Sequence, residues 1–185
     1  MSKKYTLEEG QIYVIPLPNG NFTVAQNVNH YSLGETKSGR KQSVDTYAFF
    51  NYKFSNKEDL IVEFDNLDFK TPFSIITSSG KPKQYDWELI KIIPIQLNKE
   101  KYLIKLDKEG YIDGTSTNPA VLLKPYFGLF PWDGYFKDDY LDEFLLSDAE
   151  IRDDIKYLKD YTTEELKELL PPNNVKLIKR LKEEE

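Results

Sequence analysis

The sequence predicts an α+β protein: an antiparallel, partly closed β-sheet or small barrel, followed by a C-terminal helical segment. Three observations carry this. Aromatic and β-branched residues concentrate before residue 130, with 13 Tyr, 11 Phe and 2 Trp in 185 residues, a composition suited to pleated, half-buried surfaces. The hydrophobic period changes after residue 130 from two to helical spacing. Strands come first and helices last, which separates α+β from a doubly wound sheet. Residues 1–128 are therefore expected to form a β-rich domain. Residues 129–185 are expected to form an aromatic and acidic junction and a helical tail packed on that β-rich domain, the whole being either two domains or one.

The elements follow in order. Gln11–Leu17 is apolar on both faces and reads as a buried strand. Pro18, Asn19 and Gly20 mark a turn, since Asn and Gly tolerate positive φ. Asn21–Val28 then alternates, with Phe22, Val24 and Val28 on one face, completing a hairpin. Pro16 lacks an N–H, so the first strand should be an edge or bulged there. Residues 29–43 are polar and contain Gly34, Gly39, Lys37, Arg40 and Lys41, the pattern of a long exposed loop. Asp45–Phe54 is an aromatic strand, and short strands are expected at Leu60–Phe64 and Phe73–Thr77. Trp87–Leu97 and Tyr102–Leu106 form a further pair, with an edge or bulge at Pro94, and Ala120–Leu123 is a brief apolar strand. Phe22, Val24, Phe50, Ile93 and Ile104 are the expected core. After residue 130, Ser147 with Glu150 and Thr162 with Glu165 are capping-box patterns. They precede the apolar runs Ile151, Ile155, Leu158 and Leu166, Leu169, Leu170. A last helix from Asn174 should place Val175, Ile178 and Leu181 on one face and Lys176, Lys179 and Lys182 outside.

Composition excludes several chemistries. There is no cysteine, which removes disulfides, thiolate metal sites and thiol nucleophiles. The single histidine, His30, is too few for a zinc site or a paired-histidine mechanism; its expected place is a partly exposed position at the entry to a polar loop. No GxxxxGK[ST] or GxGxxG motif occurs. Ser116 has half of a nucleophile elbow, with Asn118 where the second glycine belongs, and reads as a turn residue. Asp107, Glu109 and Asp113 miss the calcium-loop register because Gly110 comes too early. No cofactor or metal is expected. No apolar run reaches the length of a membrane span, and the N-terminal residues have no signal core; the expectation is a cytoplasmic protein that does not enter membranes.

Charge is unevenly divided. Residues 1–130 hold 16 Lys and Arg against 15 Asp and Glu, whereas residues 131–185 hold 9 against 16. Within the latter, residues 133–154 carry nine carboxylates against Lys137 and Arg152. Such a segment repels phosphate backbones and suits a basic protein surface. On a helix, Asp138 and Asp142 would share one face, as would Asp139 and Glu143. The cluster can be a solvated face, a metal site or a docking surface. Directly before it stands the aromatic run Tyr126–Tyr135. Trp132 and Tyr135 are either core lids or interface anchors, roles in which Trp and Tyr are both enriched.

The stretch Gly10–Val28, GQIYVIPLPNGNFTVAQNV, resembles the N-terminal motif of the bacterial Imm26 immunity-protein family. That motif has a glycine, an apolar strand ending in Pro-Leu, a turn with Gly, and an aromatic strand closing in Val. Gly10, Ile12, Ile15, Pro16, Leu17, Gly20, Phe22 and Val28 hold those places, and Ala25 departs from the family's small Gly. Trp87 followed by Ile90 and Ile92 is similar to a later strand of such proteins, and the tail beyond residue 130 is unmatched. The resemblance implies a β-rich domain without catalysis that binds a cognate toxin. The resulting expectation is an immunity-type protein that neutralises a basic toxin, with Trp132, Tyr135, Asp138, Asp139, Asp142 and Glu143 as its contact. The alternatives are another β-barrel interaction module for peptide or nucleic acid, which an acidic chain disfavours, and an enzyme of unrecognised type.

Overall fold

The computed structural model describes residues 8–39, 41–106, 110–112 and 117–184. It divides into two compact units, one of Met1–Pro119 with Leu146–Glu150 and one of Ala120–Leu145 with Ile151–Glu185.

Unit 1 is built on a five-stranded antiparallel sheet. Its strands are β1 (Gln11–Pro16), β2 (Phe22–Glu35), β3 (Lys41–Phe49), β4 (Ser74–Ser78) and β5 (Glu88–Ile92), in the spatial order β4-β3-β2-β1-β5. The sheet is open, so the barrel alternative does not hold. The β1–β2 hairpin forms as expected, with Val14 opposite Val24 and Pro16 opposite Phe22. Pro16 sits on an interior strand, not an edge. It is tolerated because β5 pairs with β1 only as far as Val14, leaving no ladder bond for the missing N–H to supply. Gly10 opens the hairpin with φ +88°, and a Cβ there would lie 2.5 Å from the Ile93 carbonyl oxygen.

The expected loop at 29–43 is instead the far half of a long β2–β3 hairpin. His30 pairs with Asp45 and Glu35 with Lys41, with bulges at Asn27/Asn29 and Ser32/Gly34. Its polar residues look like loop because much of this arm is solvated rather than because it lacks a ladder. Leu60–Phe64 is also not a strand. α1 (Lys57–Glu63) covers it, begun by the Asn56 side chain, which accepts from Asp59 N, and by Glu58 and Asp59 in the first turn. Leu60 and Phe64 are four apart and both buried, a helical spacing.

Trp87–Leu97 and Tyr102–Leu106 do not pair. β5 ends at Ile92 and lies on β1. α2 (Lys99–Tyr102) follows, capped by Asn98. β6 (Ile104–Leu106) pairs with β7 (Gly110–Ile112) in a separate two-stranded sheet. The main core contains Ile12, Val14, Val24, Val28, Ala48, Phe50 and Ile75 under Leu60, Phe64 and Phe69, with Phe22 and Ile93 partly buried against it. The side chain of Ile104 lies outside the described residues. On the sheet's other face Tyr13, Tyr47 and Trp87 pack edge to face or tilted at 5.1–6.2 Å.

Unit 2 starts with α3 (Ala120–Tyr126), a helix where a strand was expected; Leu122, Leu123 and Tyr126 are all buried, so a fully apolar run does not distinguish the two. The helix expected over Ile151–Leu158 is absent. Arg152 grips Asp154 at 2.7 Å, a contact two residues apart that a helix cannot make, and Ile151 is 55% exposed. The box at Thr162 and Glu165 does start a helix, α4 (Thr163–Leu169), and Asn174 starts α5 (Val175–Glu183). Tyr161, Leu166, Leu170 and Leu177 form their core with Phe130 and Leu181. α5 is rotated from expectation: Leu177 is buried while Val175 and Ile178 are exposed. The Lys176 side chain, expected outside, is largely covered and pairs with Asp138 at the surface.

Candidate partner-binding surface

All six residues expected to meet a partner lie in unit 2, but they separate into residues already bonded within the unit and residues left unpaired. Trp132 is only 4% exposed. Its indole Nε1–H donates to Asp142 Oδ1 at 2.8 Å, and its backbone N–H donates to Lys156 O at 2.8 Å. Tyr135 donates through its hydroxyl to Val121 O at 3.0 Å; burial, then the nearby Tyr140, pushes its pKa up to about 12. These two side chains therefore hold unit 2 together. They are not free anchors.

The acidic residues are not on an α-helix, so the expected pairing of faces does not arise; a single 3₁₀ turn covers Asp142–Phe144. Asp138 forms an ion pair with Lys176, whose ammonium also donates to Asp133 O. The hydrogen bond from Lys176, then its charge, holds the Asp138 carboxyl below the usual carboxylate range. Asp142 is committed to the indole. Asp139 and Glu143 are exposed, and neither side chain has a hydrogen bond or ion pair among the described residues.

Phe136, one position past the aromatic run, is the residue that sequence reasoning missed. It is 69% exposed, yet it is not loose. Its ring lies 4.9 Å from Tyr140, which lies 5.3 Å from Tyr135 and 5.4 Å from Phe144, and Tyr135 in turn is 5.1 Å from Phe130. The rings form a ladder running from the interior of unit 2 to one exposed end. The available signal was an aromatic followed by Lys137 and Asp138, with Tyr135 and Tyr140 near enough in the chain to back it.

An open cleft of about 410 Å³ lies beside this segment, lined by Asp133, Asp138, Leu158 and Leu166 and by basic residues of α5. Lys176, Lys179 and Arg180 are each paired there, with Asp138, Glu183 and Glu184, so the cleft does not present a concentrated positive charge. Among the described residues no group of three or more His, Asp or Glu is placed to hold a metal ion, and no helix is long and apolar enough to cross a membrane. Ser116, Asp107, Glu109, Asp113 and Arg40 lie outside the described residues. His30 belongs to β2 rather than to a loop and is held against Asp45. Comparison of the chain with family models, curated proteins and solved structures finds no match.

Proposed function

We propose that the chain is a bacterial, cytoplasmic immunity-type protein that neutralises a basic protein toxin by occupying it rather than by catalysis. The observation that carries this reading is Phe136, an aromatic ring 69% exposed at the end of a packed ladder. The same short segment holds the unpaired carboxylates of Asp139 and Glu143. A pre-positioned aromatic loses little side-chain freedom on binding, and such residues dominate interface energetics. Carboxylates at the rim steer a basic partner and raise its association rate. The likeness of Gly10–Val28 to the immunity family supplies the kind of partner, and those residues form the β1–β2 hairpin.

The test is co-expression with the toxin encoded beside the gene, comparing wild type with F136S and with the pair D139K/E143K. Protection should fall with F136S through faster dissociation, and with the lysine pair through slower, less salt-dependent association. Folded variants that both protect as well as wild type would sink this surface. Failure of the wild type to bind any adjacent toxin would sink the immunity reading.

A further inference from the structure

Residues 133–138, which carry Phe136, belong to no helix or strand, so their path is fixed by side chains from elsewhere in unit 2. Lys176 stands in the first turn of α5 with its side chain 17% exposed, and its ammonium donates to both Asp133 O and Asp138 Oδ1. One cation thus joins the first residue of the segment to the last, with Phe136 between them. Asn174 adds a second tie. Its Oδ1 caps α5, accepting from Lys176 N at 2.9 Å and Leu177 N at 3.3 Å, while its Nδ2 donates to Gly134 O at 3.0 Å.

The placement of these ties matters for the exposed ring. Tyr140, which backs Phe136 at 4.9 Å, lies beyond the clasped segment, so the two rings stay in contact only while the backbone between them keeps its path. Released from its ties, an irregular segment samples many conformations, and a partner would have to order it again on binding. Electrostatics pull the other way. Asp138 is 85% exposed and stands beside Asp139 and Glu143, so a cation there weakens the attraction of this surface for a basic partner. What Lys176 contributes to such a surface is therefore geometry, not charge.

We infer that Lys176 is a positioning residue of the partner-binding surface, a role that rests on the reading proposed above: it clasps the ends of the Asp133–Asp138 segment and so presents Phe136 in a fixed pose. Asn174 is its auxiliary, holding the segment at Gly134 while it starts the helix that carries Lys176. Two effects of opposite sign separate this role from charge alone. Without the ammonium the surface is more acidic, which on steering alone would speed the approach of a basic partner. Without the clasp Phe136 loses its pose, which shortens the life of the complex.

The experiment uses the full chain with labelled phenylalanine, alone and with the toxin encoded beside the gene, and compares wild type with K176M, K176R and N174D. K176M keeps the stem of the side chain and removes its donors. N174D keeps the cap of α5 and removes the bond to Gly134. Both should move the Phe136 ring signals toward those of an unstructured phenylalanine and speed amide exchange at residues 134–137. Both should also leave the toxin roughly tenfold faster, although both are more acidic than wild type. K176R, whose guanidinium can serve both acceptors, should restore the ring signals and the dissociation rate. Ring signals that match wild type in folded K176M overturn the inference whether or not a toxin binds, and so does unchanged dissociation once those signals have moved. A wild type that binds no adjacent toxin counts against the immunity reading instead, and the ring signals then decide the clasp alone. Circular dichroism checks the fold; if K176M does not fold, N174D carries the test.

Discussion

Trp132 gives the sharpest separation between a structural and a binding role. The perturbation is W132F, which keeps a ring in the buried site but removes the indole N–H that bonds Asp142 at 2.8 Å. The smaller ring gives up on the order of 40 Å² of buried apolar surface, about 1 kcal/mol at 25 cal/mol per Å². A hydrogen bond to a carboxylate contributes about 1.5–3 kcal/mol in favourable cases, and the exposure of Asp142 discounts this to about 1 kcal/mol. The total is about 2 kcal/mol. For a domain of 60–100 residues each kcal/mol moves Tm by roughly 4–8 °C, so the transition reporting on unit 2 should fall by roughly 8–16 °C. D142N keeps an acceptor oxygen and should lose about 1 kcal/mol or less. D142K strands a buried donor and should resemble W132F. Thermal unfolding by circular dichroism, with exchange of the Trp132 backbone amide bonded to Lys156, reads all three. If W132F melts with wild type yet releases a bound partner quickly, the structural assignment is wrong. Reversal of all four acidic residues to lysine would also break the Trp132–Asp142 and Lys176–Asp138 contacts, so it would not read binding alone.

Three further outcomes are expected. Gly10→Ala places a Cβ 2.5 Å from the Ile93 carbonyl oxygen at φ +88° and should cost about 1–3 kcal/mol, measured by urea unfolding; a cost near zero would mean the β1–β5 junction relaxes freely. Thr162→Ala removes the cap that accepts from Glu165 N and should lower stability by about 1 kcal/mol, with faster amide exchange confined to the first turn of α4. Hydrogen bonds from Thr162 and from Lys176 lower the carboxyl pKa of Glu165 and Asp138 in the fold. Their stabilisation is thus complete above the unfolded values near about 4 and lost as pH falls through the folded ones. E165Q and D138N should accordingly flatten the acid limb of the stability–pH curve, and an unchanged limb would contradict both contacts.

The fold class was legible because hydrophobic patterning reports burial, and burial differs between sheet and helix when one face is wet. The β1–β2 hairpin and α4 were readable for that reason, each also carrying local chemistry, Asn19-Gly20 in one and Thr162 with Glu165 in the other. Errors gather where patterning is silent. Ala120–Leu123 is apolar throughout, so strand and helix look alike. The arm at residues 29–43 is mostly polar, and its one aliphatic side chain, Leu33, is exposed, so strand and loop look alike. Ser147 with Glu150 has the capping signature, but Asp148 is engaged by Lys101 and Tyr102 at 2.5 and 2.8 Å, and those tertiary contacts outweigh a box with little helix behind it.

The candidate site shows the same limit in a different form. Sequence locates the aromatic and acidic segment because density of residue type is a linear property. It does not show which member of each type is consumed internally, because that depends on partners distant in the chain. Trp132 takes Asp142 and Lys176 takes Asp138, the latter across 38 positions. What remains both outward and unpaired is then decided by subtraction: Asp139 and Glu143, with Phe136 beside them, whereas Asp138 is exposed but paired. The side chains gathered on Asp45 behave alike. His30 and Asp45 look unrelated until the hairpin register sets them opposite one another, and only then does a lone histidine become an oriented one. A residue's chemistry in this protein is fixed less by what it is than by which of its neighbours has already used it.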